Sequence, residues 1–257
     1  MRARLYDALP AFGLALAVLL VWQLASWGLH IPVFALPSPY AISVELVHQQ
    51  SSLLQAACIT GEEVAIGFFL SGLVGIGVAL VIARFSLLGR ALYPLVVLFQ
   101  TVPKVALAPL FILWFGFNLV PKILLIVTIA FFPVALNMLA GLQSADANLI
   151  ALFYSVGARK TEILLRVQIP HALPQLMAGL KIAITLSVIG AIVGEFAGAS
   201  AGLGYMIEFA STQLDTPLVF AALFEVSVLG VLFYYAVEWI ERRYVFWVPR
   251  TGTAALS

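Results

Sequence analysis

The chain has 257 residues, 63% of them hydrophobic and 10% charged, with a mean hydropathy of +1.09 and a formal net charge of +1. A soluble domain carries about 25% charged residues, so this chain lacks the polar side chains to cover a water-soluble globule, and its hydrophobicity excludes a disordered one. The near-zero charge gives no basic field for nucleic acid, and the single Cys58 excludes a disulfide framework or a Cys-x-x-Cys metal site.

An integral membrane protein remains. A spanning helix needs about 20 apolar residues, because the hydrocarbon core is ~30 Å thick and each residue rises 1.5 Å. Six segments qualify: Ala8–Leu29, Val64–Ala83, Ala91–Phe117, Ile123–Ala145, Ala178–Phe196 and Pro217–Val237. They are continuous apolar runs rather than alternating ones, which excludes a β-barrel. The expected fold is all-α and polytopic, with six transmembrane helices in a single domain over residues 1–257. The first run is expected to be retained, since no A-x-A site follows it closely.

Flanking charges orient the spans. Arg2, Arg4, Arg84, Arg90, Arg159, Lys160, Arg166, Lys181, Arg242, Arg243 and Arg250 all fall on one side if the spans alternate, against Lys104 and Lys122 on the other. Positive charge marks the cytoplasmic face, so both termini are expected in the cytoplasm and residues 30–61 in an outer, periplasmic loop. In that loop Leu36-Pro37-Ser38-Pro39 breaks the chain. Ser38 or Ser43 can then start an interfacial helix through Val44, Leu46, Val47, Leu53 and Leu54, or the segment is an ordinary connector.

The third run contains Pro94, Pro103 and Pro109, with Gln100, Thr101 and Lys104 at the break. A broken helix carrying polar groups is one way to build a transport pathway, and a kinked packing helix with Lys104 snorkelling outward is the other reading. The fifth run carries Gly190, Gly194, Gly198 and Gly202 at four-residue spacing, a row that lets another backbone approach. Glu195 stands beside it, Glu225 is a second acid at membrane depth, and Ser200-Ala201-Gly202-Leu203-Gly204 ends the helix. An intramembrane carboxylate faces the protein interior or a cavity.

Residues 144–178 are too apolar for a solvated linker and too interrupted to span. Asp146 is the expected N-cap of a short helix, Ala147–Val156, followed by a turn at Gly157 and a second helix, Arg159–Val167, ended by Pro170 and Pro174. Ala151, Leu152, Phe153, Ile163 and Leu164 supply apolar contacts and Arg159, Lys160 and Arg166 charge. Such a knob suits a partner's cleft, or lies on lipid headgroups.

Gly157, nine residues, then Val167-Gln168-Ile169-Pro170 resembles the cytoplasmic loop signature of ABC importer permeases: Glu-Ala-Ala, three residues, Gly, nine residues, Ile-x-Leu-Pro. Ala151-Leu152-Phe153 stands where that signature has Glu-Ala-Ala. Leu36-Pro37-Ser38-Pro39, Gln100-Thr101-Val102-Pro103, Leu113-Trp114-Phe115-Gly116-Phe117, Phe131-Phe132-Pro133, Val193-Gly194-Glu195-Phe196 and Ala199 through Tyr205 are similar to the nitrate, sulfonate, taurine and thiamine-pyrimidine-precursor branch of that family.

The resemblance implies a type I ABC importer permease fold in the bacterial inner membrane. It implies a pore formed with a second permease subunit, expected to be an identical copy. Two cytoplasmic ATPase subunits would dock on Ala151, Leu152, Phe153, Gly157, Ala158, Arg159, Val167, Ile169 and Pro170. A periplasmic or lipid-anchored binding protein would deliver a small solute, either a sulfonate-, nitrate- or taurine-like anion or a thiamine-precursor pyrimidine. Gln100, Thr101, Pro103, Glu195 and Ser200 are the expected pathway residues.

No cofactor is expected in this chain. Gly157-Ala158-Arg159-Lys160-Thr161 has Arg where a phosphate-binding loop needs Gly before Lys, so ATP belongs to the partner. Two rivals stand beside this reading. A secondary transporter would use Glu195, Glu225 and Lys104 for ion coupling, although the halves show no clear repeat. An intramembrane enzyme would need a nucleophile or metal ligands at membrane depth, whereas His30, His48 and His171 lie outside the six runs.

Overall fold

The computed structural model describes residues 2–29, 32–85, 91, 94 and 98–247, without the side chains of residues 2–9 and 11. His30, Arg90, Arg250 and the side chains of Arg2 and Arg4 lie outside the described residues. The helices in chain order are α1 (Arg2–Gly28), α2 (Pro39–His48), α3 (Gln50–Arg84), a 3-10 turn (Lys104–Leu107), α4 (Ala108–Phe115), α5 (Leu119–Gln143), α6 (Ala147–Ser155), α7 (Lys160–Gly198), α8 (Leu203–Thr212) and α9 (Thr216–Tyr244).

Four of these, α3, α5, α7 and α9, are long and apolar enough to cross a membrane, and Phe12–Gly28 and Lys104–Phe115 are shorter apolar helices. The third expected span, of which residues 92, 93 and 95–97 lie outside the described residues, is broken at Pro103. Residues 98–101 are helical, the helix stops before Pro103, and α4 restarts with Pro109 in its first turn, where the missing N–H costs nothing.

Two expected boundaries are corrected. The helix capped by Ser38, whose Oγ accepts the Ala41 N–H at 3.2 Å, ends at His48. Leu53 and Leu54 therefore belong to α3, which starts 14 residues before Val64, and Leu53 is buried against α8 and α9. Nor do Pro170 and Pro174 end the helix after Gly157. It runs on to Gly198 as one 39-residue helix. The device is a π-helical stretch, Leu164–Gln168, which closes with the Ile169 N–H donating to the Leu164 carbonyl. The register shift thus falls directly before Pro170, where the chain has no N–H to donate.

α3, α5 and α7 form the core. Gly67 lies against Ile126 and Gly75 against Val134, so α3 and α5 run parallel. Gly190 lies against the Ile126 backbone, Gly179 against the Pro133 carbonyl and Gly141 against Ala172, so α7 runs antiparallel to α5. The contacts are backbone-close: a Cβ at residue 75 would come within 2.7 Å of the Phe131 carbonyl oxygen. The predicted glycine row does this in part. Gly190 and Gly194 face α5, Gly198 faces Phe117, and Gly202, beyond the helix end, faces Glu195. Small residues suit such contacts because lipid supplies no hydrophobic drive between helices. Lys181 pairs with Glu241 to tie α7 to α9, and Arg242 pairs with Glu238 at 2.6 Å within α9.

At ~1.5 Å per residue α7 is about 58 Å long, nearly twice the hydrocarbon thickness. The segment that leads into it, α6 and the Gly157 turn, sits at one end of the bundle, where Ile150 and Phe153 pack beside Ala145 at the end of α5 and Leu164 joins the core with Ala79, Ile82 and Leu142. Residues 117–122 and 198–204 sit at the other end.

Candidate functional sites at the two ends of the bundle

The first site is the knob. Asp146 caps α6, its Oδ1 accepting the Asn148 N–H at 2.8 Å, a bond of the kind that contributes about 1 kcal/mol. Gly157 ends the helix at φ +80°, with its N–H donating to the Tyr154 carbonyl and the Ala158 N–H to that of Phe153. Glu162 then accepts the Arg159 N–H at 2.8 Å and starts α7. One face of the knob packs inward: Ile150, Phe153 and Ala158 lie on buried Ala145, Ile163 and Val167. The other is open, with Leu149, Leu152 and Val156 exposed at i, i+3 and i+7, Leu152 by 57% and Val156 by 74%. These three share a helix face.

Of the residues picked from sequence for coupling, Ala151, Leu152, Gly157, Arg159 and Pro170 are exposed, Phe153, Ala158 and Ile169 are partly buried, and Val167 is buried. Ile163 and Leu164, expected to contact a partner, are instead spent on the chain's own core. Leu149 and Val156 were missed. Their spacing to Leu152 was the available signal, but Ile150 and Phe153 offer a second apolar face at similar spacing.

The opposite end holds a buried polar cluster. Gly202 is the N-cap residue of α8 and has no side chain with which to cap it. Two distant residues do so instead. The Leu203 N–H donates to Thr60 Oγ1 at 2.9 Å, and the Gly204 N–H to Glu195 Oε2 at 2.5 Å. Thr60 in turn donates to Glu195 Oε1 at 2.7 Å. An acid at a helix N-terminus satisfies its orphan donors and complements its dipole. Glu195, fully buried, thus locks α3, α7 and α8 together.

Beside it, Glu63 Oε1 accepts from Lys122 Nζ at 2.5 Å, joining α3 to α5. Removing one partner of a buried pair costs about 3–5 kcal/mol because the other charge is stranded. Sequence reading missed Glu63, which stands one residue before the expected span. The second acid singled out there, Glu225, is only half-buried.

A cavity of about 460 Å³ opens here, lined by Glu63, Asn118, Lys122, Phe117, Ser200 and neighbouring backbone. A second, of about 390 Å³, is lined by Gln49, Ser52, Gln55, Tyr205, Phe209 and Ser200 among others. Of the expected pathway residues, Ser200 lines both cavities. Glu195 is enclosed by its hydrogen bonds, and Gln100, Thr101 and Pro103 line neither cavity. Gln100 is exposed, and Thr101 Oγ1 donates to the Leu98 carbonyl at 2.8 Å. Lys104 turns inward, its Nζ 5.3 Å from the centre of the Phe132 ring, rather than snorkelling outward. Among the described residues, no group of three or more His, Cys, Asp or Glu side chains could hold a metal ion.

Residues 71–246 match the family model of the binding-protein-dependent transport system inner membrane component. The chain belongs to this family. The permease is 38% identical over 245 residues to the formylaminopyrimidine transport permease protein ThiX of Halalkalibacterium halodurans, covering 95% of this chain and 98% of that one. It is 30% identical to the taurine transport system permease protein TauC of Escherichia coli, over 90% of this chain and 87% of that one. Its fold matches a chain of the inward-facing MetNI methionine ABC transporter with a TM-score of 0.67, at 20% identity, over 76% of this chain and 97% of that one.

The resemblance read from the Gly157–Pro170 spacing is therefore correct. The permease is an all-helical, multi-pass, non-catalytic membrane subunit of an ABC transporter, a class that works with ATPase and binding-protein partners.

Proposed function

We propose that two copies of the permease form the pore of an importer in the bacterial inner membrane. Each copy crosses six times, the fold being of type I, with both termini in the cytoplasm. Residues 144–178 form the coupling loop and residues 30–61 the periplasmic one. The open face of α6, Leu149, Leu152 and Val156, is the surface on which a cytoplasmic ATPase subunit docks. The observation that carries this is the knob itself: a short helix, capped at one end and turned by Gly157 at the other, bearing an exposed apolar stripe and leading into a 39-residue helix. Movement of the knob is transmitted by α7, which packs directly on α5. Ala151, Arg159 and Pro170 flank the docking surface, and Phe153, Ala158, Val167 and Ile169 hold its shape. ATP is bound and hydrolysed by the partner.

A binding protein delivers the solute to the end of the bundle that holds Ser200 and the polar cluster. ThiX and TauC, to which the permease is similar, are a pyrimidine and a taurine permease by name, so the solute is a small polar molecule of one of those two kinds. Gln100, Thr101, Pro103, Glu195 and Ser200 remain the proposed pathway set, with Ser200 at its mouth and Glu195 as the brace behind it.

Reconstitution in proteoliposomes tests the scheme. The permease alone is expected to transport nothing, and addition of the ATPase and the binding protein is expected to give ATP-dependent uptake. Uptake by the permease alone under an ion gradient would establish the secondary-transporter reading instead.

A further inference from the structure

A groove of about 280 Å³ lies between the last turns of α3 and the first turns of α7, at the end of the bundle that carries the knob. Leu80 and Val81 on α3 and Leu164, Leu165 and Ile169 on α7 make its walls apolar. Leu164 and Ile169 are also the two ends of the π-helical closure, so the groove is laid against the stretch that joins the knob to the rest of α7. Its rim is open, with Val81 39% and Leu165 59% exposed.

The polar residues that line the groove are Arg84 and Thr161. Arg84 ends α3, and its guanidinium lies 5.4 Å from the centre of the Phe85 ring, which lines the groove as well. No carboxylate pairs with Arg84 among the described residues. Glu162, the acid beside Thr161, does not line the groove and accepts the Arg159 N–H instead. Depth separates the polar and apolar groups. At ~1.5 Å per residue the apolar run Val64–Ala83 is about 30 Å long, the thickness of the hydrocarbon core. Arg84 therefore stands at headgroup level, and Leu80 and Val81 stand about one helical turn deeper, at the level of the acyl chains.

We infer that this groove is a binding site for an anionic phospholipid, with its phosphate on Arg84 and one acyl chain laid between α3 and the π-helical stretch of α7. Free phosphate would answer Arg84 but has nothing to place on the apolar walls. A neutral hydrocarbon would fill the walls and leave Arg84 without a counter-charge. A guanidinium binds phosphate oxygens in bidentate fashion and is weakly hydrated for a cation, which suits it to the membrane boundary. A zwitterionic lipid brings the same phosphate with a cationic group that offsets it, so the uncompensated arginine favours the anionic lipid. Basic pockets between membrane helices take such headgroups. The site stands apart from the transport scheme and requires only that α3 and α7 cross a bilayer.

The test uses the purified permease, equilibrated in detergent with equal amounts of phosphatidylglycerol and phosphatidylcholine of the same chain length. Native mass spectrometry then identifies the last lipid held as collision energy is raised. The unaltered permease is expected to hold phosphatidylglycerol over phosphatidylcholine by about fivefold, the preference that one arginine confers. Arg84→Gln is expected to bring the ratio close to even.

Leu165→Trp, which fills the groove from its rim and leaves Arg84 in place, is expected to lose the retained phosphatidylglycerol. Both side chains are exposed, so each variant is expected to keep the thermal stability of the parent, and either keeps the test valid if the other folds poorly. Unaltered phosphatidylglycerol retention by either variant, an even ratio in the parent, or no retained lipid because a protein segment fills the groove would each overturn the inference.

Discussion

Gly202→Ala is expected to destabilise the permease by about 3–5 kcal/mol, well above the ordinary cost of a point substitution. Gly202 sits at φ +115°, a region that side chains rarely enter, and such strain alone costs about 1–3 kcal/mol. A Cβ there would also stand 2.0 Å from Glu195 Oε1. Glu195 must then withdraw from Gly204 and Thr60, and each buried group left without a partner costs a further ~1–3 kcal/mol. The loss is read as thermal unfolding in detergent, together with the monodisperse fraction recovered. A destabilisation below about 1 kcal/mol would mean that the cap of α8 by Glu195 contributes little.

Gly157→Val is expected to have the reverse profile: normal stability and insertion, with transport lost. Gly157 also has a positive φ, but a Cβ there would meet nothing within 4 Å. Only the backbone resists. The left-handed conformation costs an ordinary residue about 1–2 kcal/mol, and a β-branched one more. That is enough to lower the population of the docking-competent turn by a factor of about 5–30. ATP-dependent uptake and co-purification of the ATPase should fall together while Tm stays within a few degrees. Full uptake by this variant would remove the turn from the coupling scheme.

These two glycines show what the sequence made legible. Both were marked by local pattern, Gly157 after a capped helix and Gly202 in a run of small residues. Asp146 was legible as a cap for the same reason: its partner is two residues away. The partners of Glu195 were not. Thr60 lies 135 residues distant, and its role as a substitute cap for a glycine-started helix exists only once α3, α7 and α8 are assembled. Glu63 was hidden by its place at the edge of an apolar run, where a charge reads as a boundary. The π-helical passage through Pro170 was hidden because local rules treat proline as a stop. Apolar spacing likewise located the knob without saying which of its two apolar faces turns inward, a choice made by Ala145 and Val167.

The proposed coupling requires that an ATPase subunit grip the exposed face of α6. Cys58 is the chain's single cysteine, so a Cys58→Ser background carrying Leu152→Cys places one thiol on that face. With the assembled transporter in inside-out membrane vesicles, a short crosslinker with one thiol-reactive and one photoreactive end, attached at this position, is expected to join it to the ATPase. The yield is expected to change between the ATP-bound and nucleotide-free states. Labelling of the same thiol only from the periplasmic side, or an absence of any crosslink to the ATPase in a transport-competent complex, would contradict the account.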